Sequence, residues 1–398
     1  MPVHSTSKSS FRTVERKLYP NKDQEQRLEH YRRECASLYN RALEMRIKAY
    51  KRRGQTIWLY DQQKWLTYLR SRVESVRLVP VEFARDSLRR LDKAYRSFFR
   101  RVKLKAKHKG FPRFKSSVRY RAMEHQAAGD YFREGAVFVP GIGEVAARGQ
   151  NAIGRQKLLR LVKRESGWYA QTFVQSIIPD STELKSSVGI DVGLSSFATL
   201  SNGEQIANPR FYQKAQRQLR HAQKSLSRKQ KGSRNRRKAK KRVVCGHERI
   251  SAQRKDFAHQ ESRKIVNRFD LIGFEKLNIS GLSQSKLAKS ILDAAWGMFL
   301  SFIVYKAANA GRLAVPVEAA GTSQECPSCG VIKKKSLSER RHECECGLSI
   351  DRDHAAAVVI EARALAVAGA SILWRDGPLL DRFGGAVSPP CETGSPSA

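Results

Sequence analysis

The chain has 398 residues, 40% of them hydrophobic, which is enough for roughly two to four domains with buried cores and excludes a wholly disordered protein. Its 76 Lys and Arg residues outnumber 37 Asp and Glu residues, so the formal net charge is +39. An excess this large indicates a polyanionic partner, above all nucleic acid, and the alternative is a basic protein that is merely soluble.

The sequence has no pattern that indicates export or membrane insertion. The first residues, MPVHSTSKSSFRTVERK, lack the apolar segment of a signal peptide. No apolar run approaches the ~18 residues of a membrane span, and the longest candidate is ALAVAGASIL at 364–373. We therefore expect a protein of the reducing cytoplasm with no membrane partner.

The N-terminal part of the chain predicts a strand followed by helices. Residues 1–20 have the pattern of a short basic strand. The helix predicted after them has one apolar face, formed by Leu28, Tyr31, Cys35, Leu38 and Ala42. A second helix is predicted at about 81–103, and its apolar stripe is expected to pack on the first helix: Ala84, Leu88, Leu91, Tyr95 and Phe98.

Two basic segments of this region are candidates for phosphate binding. The second helix carries Arg85 and Arg89 away from its apolar stripe, and the charge of the whole chain favours phosphate over solvent as their partner. The segment GFPRFKSS at 110–117 interrupts the helical pattern and interleaves aromatic rings with Arg113 and Lys115.

Strand patterns follow on both sides of a polar link. Residues 130–184 have the pattern of short strands and turns, so 110–184 is predicted to be a small β unit. After the link at 182–187, VGIDVG and SSFATLS predict two strands, and Asn202-Gly203 predicts a tight turn.

The segment 213–242 holds fourteen Lys and Arg residues and no acid. Charge runs are usually solvated tails, but small and apolar residues recur between these charges, which favours a basic helical arm. Arg236 and Arg237 in this arm are further candidates for nucleic-acid contacts.

The remaining elements alternate between strand and helix. FDLIGFEKL at 269–277 predicts a buried strand, 286–311 a helix, GRLAVPVEAA at 311–320 another strand, and 351–368 a last helix. Asp351 suits the N-terminus of that helix, where a carboxylate meets free N–H groups. Residues 373–398 are rich in Gly, Pro and Ser and are predicted to be a disordered tail.

Four of the seven cysteines lie in two close pairs, Cys326 with Cys329 and Cys344 with Cys346. Two pairs of thiolates predict a tetrahedral zinc site, in which His342 could replace a weak ligand. With four protein ligands the site has no open position, so this Zn²⁺ would stabilise the fold rather than catalyse. The alternative, four reduced structural cysteines, is disfavoured because the residues between the pairs are too polar to form a core.

Two acids belong to apolar strands. Asp191 lies within V-G-I-D-V-G and Glu275 ends L-I-G-F-E, where an unpaired carboxylate would be costly. Either acid alone could equally be a strand end facing solvent. Together with an acid that opens the last helix, they predict carboxylates that hold two Mg²⁺ ions for phosphodiester hydrolysis.

Several motifs resemble one known family. GIDVGLSSFATLSNGE, IGFEKL, TSQECPSCG and CGLSIDRDHAAAVVI are similar to the RuvC-type, ribonuclease-H-like core of TnpB, a transposon-encoded RNA-guided endonuclease related to type V CRISPR effectors. KLYPNKDQEQRL, GFPRFKSS and DAAWGMF are similar to other segments of that family. The resemblance covers roughly residues 11–372.

The resemblance implies a multidomain α/β fold with a RuvC-like core, an inserted zinc-binding loop, and an N-terminal β-barrel with an inserted helical lobe. It implies Asp191, Glu275 and Asp353 as catalytic ligands of Mg²⁺ or Mn²⁺, and the four clustered cysteines as zinc ligands. The implied domains are a wedge-type barrel at 1–20 and 110–184, a recognition lobe at 21–109, a nuclease domain at 185–323 and 347–372, and a zinc-binding insert at 324–346.

One position departs from the family pattern. Around the third acid the family usually has D-R-D-x-N-A-A, whereas this chain has Ala355 in place of Asn. An Asn there could donate a hydrogen bond near the site, so its absence is expected to lower activity without removing a metal ligand. Asp351 remains the alternative to Asp353 as third acid.

The expected partners are a guide RNA transcribed from the transposon end and a double-stranded DNA target with a short adjacent motif, bound by a monomer in the prokaryotic cytoplasm or nucleoid. Three alternatives stay open. They are an RNA-guided repressor that no longer cuts, an RNA-independent resolvase-like nuclease, and a basic accessory protein that only coats nucleic acid.

Overall fold

A computed structural model describes residues 9–177, 184–282, 284, 287–334 and 339–369. The chain divides into two compact units, Met1–Ile177 and Ile178–Ala398, and each has its own sheet and buried core. The tail predicted at 373–398 lies outside the described residues.

The first unit combines helices with an antiparallel sheet. Its elements are β1 (Ser9–Leu18), α1 (Lys22–Arg53), α2 (Leu59–Arg72), α3 (Glu74–Arg77), α4 (Val81–Lys103), β2 (Ala122–His125), β3 (Phe132–Arg133), β4 (Ala136–Val139), β5 (Gly143–Gly149), β6 (Arg155–Arg164) and β7 (Gly167–Ile177). The strand order is β2-β6-β7-β1-β5-β4-β3. Because β1 pairs with both β5 and β7, the strand that precedes the helices joins the strands that follow them.

Local signals determine where α1 starts and stops. The side chain of Asn21 accepts a hydrogen bond from the backbone N–H of Gln24, and the Gln24 side chain accepts one from the backbone N–H of Asn21. At the other end Gly54 adopts the left-handed conformation, with φ of +60°.

The helical predictions for this unit are largely confirmed. The apolar face predicted for α1 is buried. In α4 the stripe is buried from Ala84 to Tyr95, whereas Phe98 is only partly covered. Helix α2 was not predicted: only Gln62 and Leu66 of its residues are buried, and Leu59, Trp65 and Leu69 pack partly buried against the core.

The second unit combines a mixed sheet with helices. Its elements are β8 (Ser187–Asp191), β9 (Ser196–Leu200), β10 (Gln205–Ala207), α5 (Phe211–Ser227), α6 (Arg234–Arg268), β11 (Leu271–Glu275), α7 (Ile279–Leu282), α8 (Ala288–Ala294), α9 (Trp296–Asn309), β12 (Leu313–Val317), β13 (Arg341–Glu343), β14 (Ser349–Asp351) and α10 (Arg352–Val367). The main sheet has the order β10-β9-β8-β11-β12. Strands β8, β9 and β10 are antiparallel neighbours, and β11 is parallel to both β8 and β12.

The basic arm predicted at 213–242 is helical, but it is a hairpin of two helices, α5 and α6. The turn between them contains Gly232, whose φ is +86°. It ends at Ser233, whose side chain accepts a hydrogen bond from the backbone N–H of Arg236 and so starts α6.

One apolar stretch is longer than the sequence analysis allowed. Ala288–Asn309 is long and apolar enough to cross a membrane by length and composition alone, so the prediction that no run approaches that length is wrong. The stretch forms α8 and α9, which meet at Ala295, a residue with φ of +57°. Phe299 and Ile303 of α9 are fully buried in the core of this unit, which accounts for the apolar composition.

Candidate metal sites

Two of the predicted acids end neighbouring strands of the mixed sheet. Strands β8 and β11 are parallel, with Phe274 opposite Ile190. Asp191 and Glu275 each follow that pair and are the last residues of their strands. The pairing of the strands therefore places both acids at the same edge of the sheet, although they are far apart in the chain.

Helix α10 crosses these two strands at close range over glycines. A Cβ added at Gly189 would lie 1.9 Å from the carbonyl oxygen of Ala357, and one at Gly273 would lie 2.6 Å from the Cβ of Ala364. Contacts this short are not tolerated, so only glycine at both positions allows the helix to lie on the sheet. Each glycine is two residues before one of the acids.

The first turn of α10 places the third acid. A Cβ added at Gly193, just after β8, would lie 3.8 Å from Oδ2 of Asp353. Asp351 is the N-cap: its carboxylate accepts hydrogen bonds from the backbone N–H groups of Asp353 and His354, at 2.9 and 3.2 Å. The predicted helix start at Asp351 is confirmed, and its capping role favours Asp353 as the third acid.

The charges of two of the carboxylates act on the third, Asp191. Burial, followed by the charges of Glu275 and Asp353, raises the pKa of Asp191 to about 8, and the charge of Arg352 opposes this rise. Burial also raises the pKa of Glu275. Like charges gathered in a partly buried place disfavour ionisation, and a bound cation would reverse that cost. The arrangement thus has the electrostatic character of a cation site, but the three acids are not as close as the cysteines, which alone among the described residues bring four ligand atoms within 4.8 Å of one another.

Two residues that act on Glu275 were not predicted from the sequence: Thr322, through a hydrogen bond, and Arg363, through its charge. Thr322 is buried, and its hydroxyl donates a hydrogen bond to Oε1 of Glu275. This bond and the charge of Arg363 both lower the pKa of Glu275 against the effect of burial. Thr322 lies in the motif TSQECPSCG, in which only the cysteines predict a function. No local sequence pattern connects Thr322 with Glu275.

Ala355, where the family usually has Asn, is fully buried, as are the neighbouring Ala356 and Ala357 to within 2%. An Asn side chain would therefore bring an amide group into a closely packed part of α10. The expected loss of activity at this position stays a prediction.

The four predicted cysteines form one cluster. Their sulfur atoms all lie within 4.8 Å of one another, with 3.7 Å between Cys326 and Cys346 and 3.5 Å between Cys329 and Cys344. Such a group could hold a metal ion. His342, proposed as a substitute ligand, is fully buried on β13 and is not a member of this group.

The predicted phosphate-binding residues of α4 have an acidic partner. Arg85 and Arg89 donate hydrogen bonds to the carboxylate of Glu82, at 2.7 and 3.0 Å. In the following segment Arg113 is exposed, and the Lys115 ammonium lies 4.6 Å from the ring centre of Tyr39.

The two arginines predicted in the basic arm differ in their surroundings. Arg236 donates hydrogen bonds to the carbonyl oxygens of Leu226 and Lys229, at 3.0 and 2.8 Å, and so ties the turn of the hairpin to α6. Arg237 is exposed. Contact of either residue with nucleic acid stays a prediction.

Three family models match the chain. The OrfB_IS605 model, described as "Probable transposase", matches residues 170–286. The model "Cas12f1-like, TNB domain" matches 296–360, which include the four cysteines and Asp353. A "Helix-turn-helix domain" model matches 12–55, which in this structure form a strand, β1, and a single helix, α1.

Relatives extend the match over most of the chain. A Streptomyces pristinaespiralis protein described as "Putative RNA-guided DNA endonuclease" is 31% identical over 378 residues, which cover 89% of this chain and 90% of the relative. The Escherichia coli K12 relative, of the same description and named InsQ, is 28% identical and covers 82% and 86%. A Cas12f1 chain from a cryo-EM structure of the Cas12f1-sgRNA-target DNA complex has a TM-score of 0.55 at 13% identity and covers 86% of this chain and 83% of that chain.

The fold and the cysteine cluster first define a class: a mixed α/β protein that resembles the Cas12f effectors and carries a group able to hold a metal ion. The relatives then define the family. This chain belongs to the OrfB_IS605 transposase family, the TnpB family that its motifs resemble. The resemblance inferred from the sequence is confirmed.

Proposed function

We propose that this protein is an RNA-guided DNA endonuclease of a transposon, which cuts target DNA by two-metal hydrolysis at Asp191, Glu275 and Asp353. The observation that carries the proposal is geometric: Asp191 and Glu275 end neighbouring parallel strands, and Asp353 lies in the first turn of the helix that packs on those strands. The descriptions of the two bacterial relatives support the RNA-guided activity.

The donor set fits Mg²⁺ or Mn²⁺. These ions take hard oxygen ligands and Mg²⁺ keeps several waters, so a few carboxylates are sufficient. When bound, the ions would activate the attacking water and neutralise the charge that develops on the leaving oxygen.

The residues of the chain supply the remaining parts of the mechanism. Asp191 must lose its proton before it can act as a ligand, so its raised pKa couples metal binding to pH. Thr322 orients Glu275 through its hydroxyl group. Asp353 lies in the first turn of α10, directly after the N-cap Asp351.

The four clustered cysteines fit Zn²⁺. A tetrahedral ion with Zn–S bonds of about 2.3 Å requires sulfur atoms ~3.8 Å apart. The separations of 3.5 and 3.7 Å are close to that requirement. Because the four thiolates would occupy every position of the ion, we assign the site a structural role.

The domain assignment follows the same proposal: a wedge-type barrel at 1–20 and 110–184, a helical recognition lobe at 21–109, a RuvC-like nuclease domain at 185–323 and 347–372, and a zinc-binding insert at 324–346. The pairing of β1 with β5 and β7 supports the first of these, since it unites the two segments assigned to the barrel. The partners we propose are a guide RNA and a double-stranded DNA target with a short adjacent motif, bound by a monomer in the prokaryotic cytoplasm or nucleoid.

The decisive experiment compares single acid variants in the complex with its own RNA. Sequencing the RNA that co-purifies with the protein defines the guide, and a plasmid library with a randomised adjacent motif then reports cutting. Asp191→Ala and Glu275→Ala should bind RNA and DNA as the unaltered protein does but leave the plasmid intact in Mg²⁺. Asp256→Ala, which removes an exposed acid of α6, should cut normally.

The alternatives give different outcomes in that experiment. Full cutting by Asp191→Ala or Glu275→Ala would remove that residue from the site. Stable binding of a guide-matched plasmid without any cutting by the unaltered protein would identify a repressor. Cutting that needs no RNA would identify a resolvase-like nuclease, and binding with a steep salt dependence but no product would identify a coating protein.

A further inference from the structure

We infer that Thr322 and Arg363 are positioning residues for Glu275, and that through them the fold of the cysteine loop determines the geometry of the carboxylate site. The cysteine loop is defined by the described residues 318–334 and 339–346. The inference rests on the proposed function, in which Glu275 is a ligand of the catalytic ions.

The first step is the hydroxyl group of Thr322. Its side chain is only 2% exposed, and its Oγ1 lies within hydrogen-bond distance of Oε1 of Glu275 and, at 3.1 Å, of the carbonyl oxygen of Ala319. A hydroxyl has one proton to donate, and an ionised carboxylate is a stronger acceptor than a carbonyl. Thr322 therefore donates to Glu275 and fixes one of its two oxygen atoms.

The second step is the guanidinium group of Arg363 on α10. It donates to the carbonyl oxygens of Glu318 and Ala320, at 3.0 and 2.9 Å, and to Oε2 of Glu325, at 2.6 Å. These acceptors lie on both sides of Thr322 in the chain. One side chain of α10 thus holds the turn that carries the Thr322 hydroxyl group.

The third step connects this turn with the cysteines. The backbone N–H groups of Gln324 and Glu325 donate to the carbonyl oxygen of Gly321, at 2.9 and 3.0 Å. The next residue is Cys326, whose backbone N–H donates to the carbonyl oxygen of Val331, so the turn continues directly into the first cysteine pair. The turn therefore carries Thr322 at one end and a cluster sulfur at the other.

Helix α10 is the common frame of both metal sites. Its first turn carries Asp353, the third acid of the carboxylate site. Further along, Arg363 donates hydrogen bonds to the cysteine loop. If the loop loosens, Thr322 loses its position and Glu275 loses the hydroxyl group that donates to it. Loss of a group that orients a metal ligand typically lowers metal affinity or activity about 10- to 100-fold.

The test compares Thr322→Val, which keeps the shape and removes the hydroxyl, with Thr322→Ser, which keeps the hydroxyl. We expect Thr322→Val to lower the cutting rate at saturating Mg²⁺ about 10-fold or more and to weaken Mn²⁺ binding about 10-fold. Thr322→Ser should restore both to within about 3-fold, and affinity for guide RNA and DNA should stay unchanged. Mn²⁺ binding is measured by calorimetry without nucleic acid, so it does not depend on cutting.

Thr172→Val is the matched control. Thr172 is also a fully buried threonine, and its hydroxyl donates to the carbonyl oxygen of Leu158 in the first unit, at 2.7 Å. Its loss should have a similar effect on stability but leave Mn²⁺ affinity unchanged. Equal loss of Mn²⁺ affinity in the two variants would reduce Thr322 to a structural residue and overturn the inference.

A double variant tests the link through Arg363. Arg363→Lys keeps the positive charge that acts on Glu275 but loses the planar guanidinium that reaches three acceptors. It should weaken Mn²⁺ binding, and adding Thr322→Val should produce little further loss, because both substitutions act through the Thr322 hydroxyl group. Fully additive losses would mean that the two residues act independently, which would overturn the coupling. The inference can be wrong while the proposed function is right. That outcome would be an inactive Asp191→Ala variant together with a Thr322→Val variant whose cutting rate and Mn²⁺ affinity equal those of the unaltered protein.

Discussion

The cysteine cluster and the carboxylate cluster are two candidate metal sites built on opposite principles. The four sulfur atoms come from one short segment, and they already lie within 4.8 Å of one another. The three acids come from two strands and a helix, and burial, followed by the charges of Glu275 and Asp353, raises the pKa of Asp191 to about 8. The cysteine site is local in the chain, and its own four ligands leave no open position. The carboxylate site is assembled by the tertiary fold, and the repulsion between its acids would be relieved by a bound cation.

This difference predicts how metal binding at each site affects the stability of the protein. Metal binding by the cysteines should be part of folding, because the polar residues between the two pairs have no core of their own. The carboxylates, in contrast, end strands that have a buried apolar core of their own, so we expect this sheet to fold without metal and to be destabilised by the burial and repulsion that raise the pKa of Asp191. Metal loss should therefore unfold the segment that carries the cysteines. At the carboxylates it should only remove the positive charge that neutralises them.

Of the variants that test this comparison, Cys329→Ser is expected to change zinc content and thermal stability the most. The variant should lose the bound zinc almost completely and unfold at a clearly lower temperature, since one thiolate of four is missing. Elemental analysis of the purified protein gives the zinc content, and calorimetry gives the melting temperature. Cys245→Ser, which changes a cysteine of α6 outside the cluster, should keep both values; unchanged zinc in Cys329→Ser would contradict the four-thiolate site.

A smaller effect, with the opposite sign, is expected for Asp191→Asn in the absence of Mg²⁺. The folded-state pKa of Asp191 is raised to about 8, above the ~4 of an unfolded chain, so ionisation destabilises the fold increasingly as pH rises between these values. The variant should therefore melt at a higher temperature than the unaltered protein, by about 2–6 °C at pH 8 and by less at pH 5.

Melting curves across pH measure this difference, and Asp256→Asn is the control with an exposed acid. Added Mg²⁺ should stabilise the unaltered protein more than Asp191→Asn, and more at pH 8 than at pH 6. A variant that melts lower than the unaltered protein at every pH would show that the carboxylates are not strained, and the contrast between the two sites would be lost.

The smallest effect concerns the basic hairpin and separates binding from structure. Arg237 is exposed, so Arg237→Ala should weaken nucleic-acid binding about 2- to 5-fold and reduce the slope of log affinity against log salt by ~1. Arg236→Ala should instead lower the thermal stability of the hairpin, because it removes two hydrogen bonds to the turn. Equal salt slopes for Arg237→Ala and the unaltered protein would exclude Arg237 from the interface.

Periodicity predicted much of the fold correctly. Helix α4 was expected at 81–103 and is found at Val81–Lys103, since a regular apolar stripe marks an amphipathic helix at both ends. Helix α2 was missed because its apolar face is weak: the polar Gln62 occupies one buried position, and Leu59, Trp65 and Leu69 are only partly buried. The apolar stretch at Ala288–Asn309 was underestimated because it is apolar beyond the face that it buries: Phe299 and Ile303 are fully buried, whereas Leu292 and Val304 are exposed.

The sequence by itself determined the cysteine cluster, since close spacing confines four thiols to one small region of space whatever the rest of the chain does. It also marked Asp191 and Glu275, because acids in apolar strands are conspicuous. Only the tertiary structure decided that these acids end neighbouring parallel strands and that Thr322 donates to Glu275. Strand pairing and helix packing join residues that are remote in the chain, and such contacts depend on the shape of the whole core rather than on any local pattern.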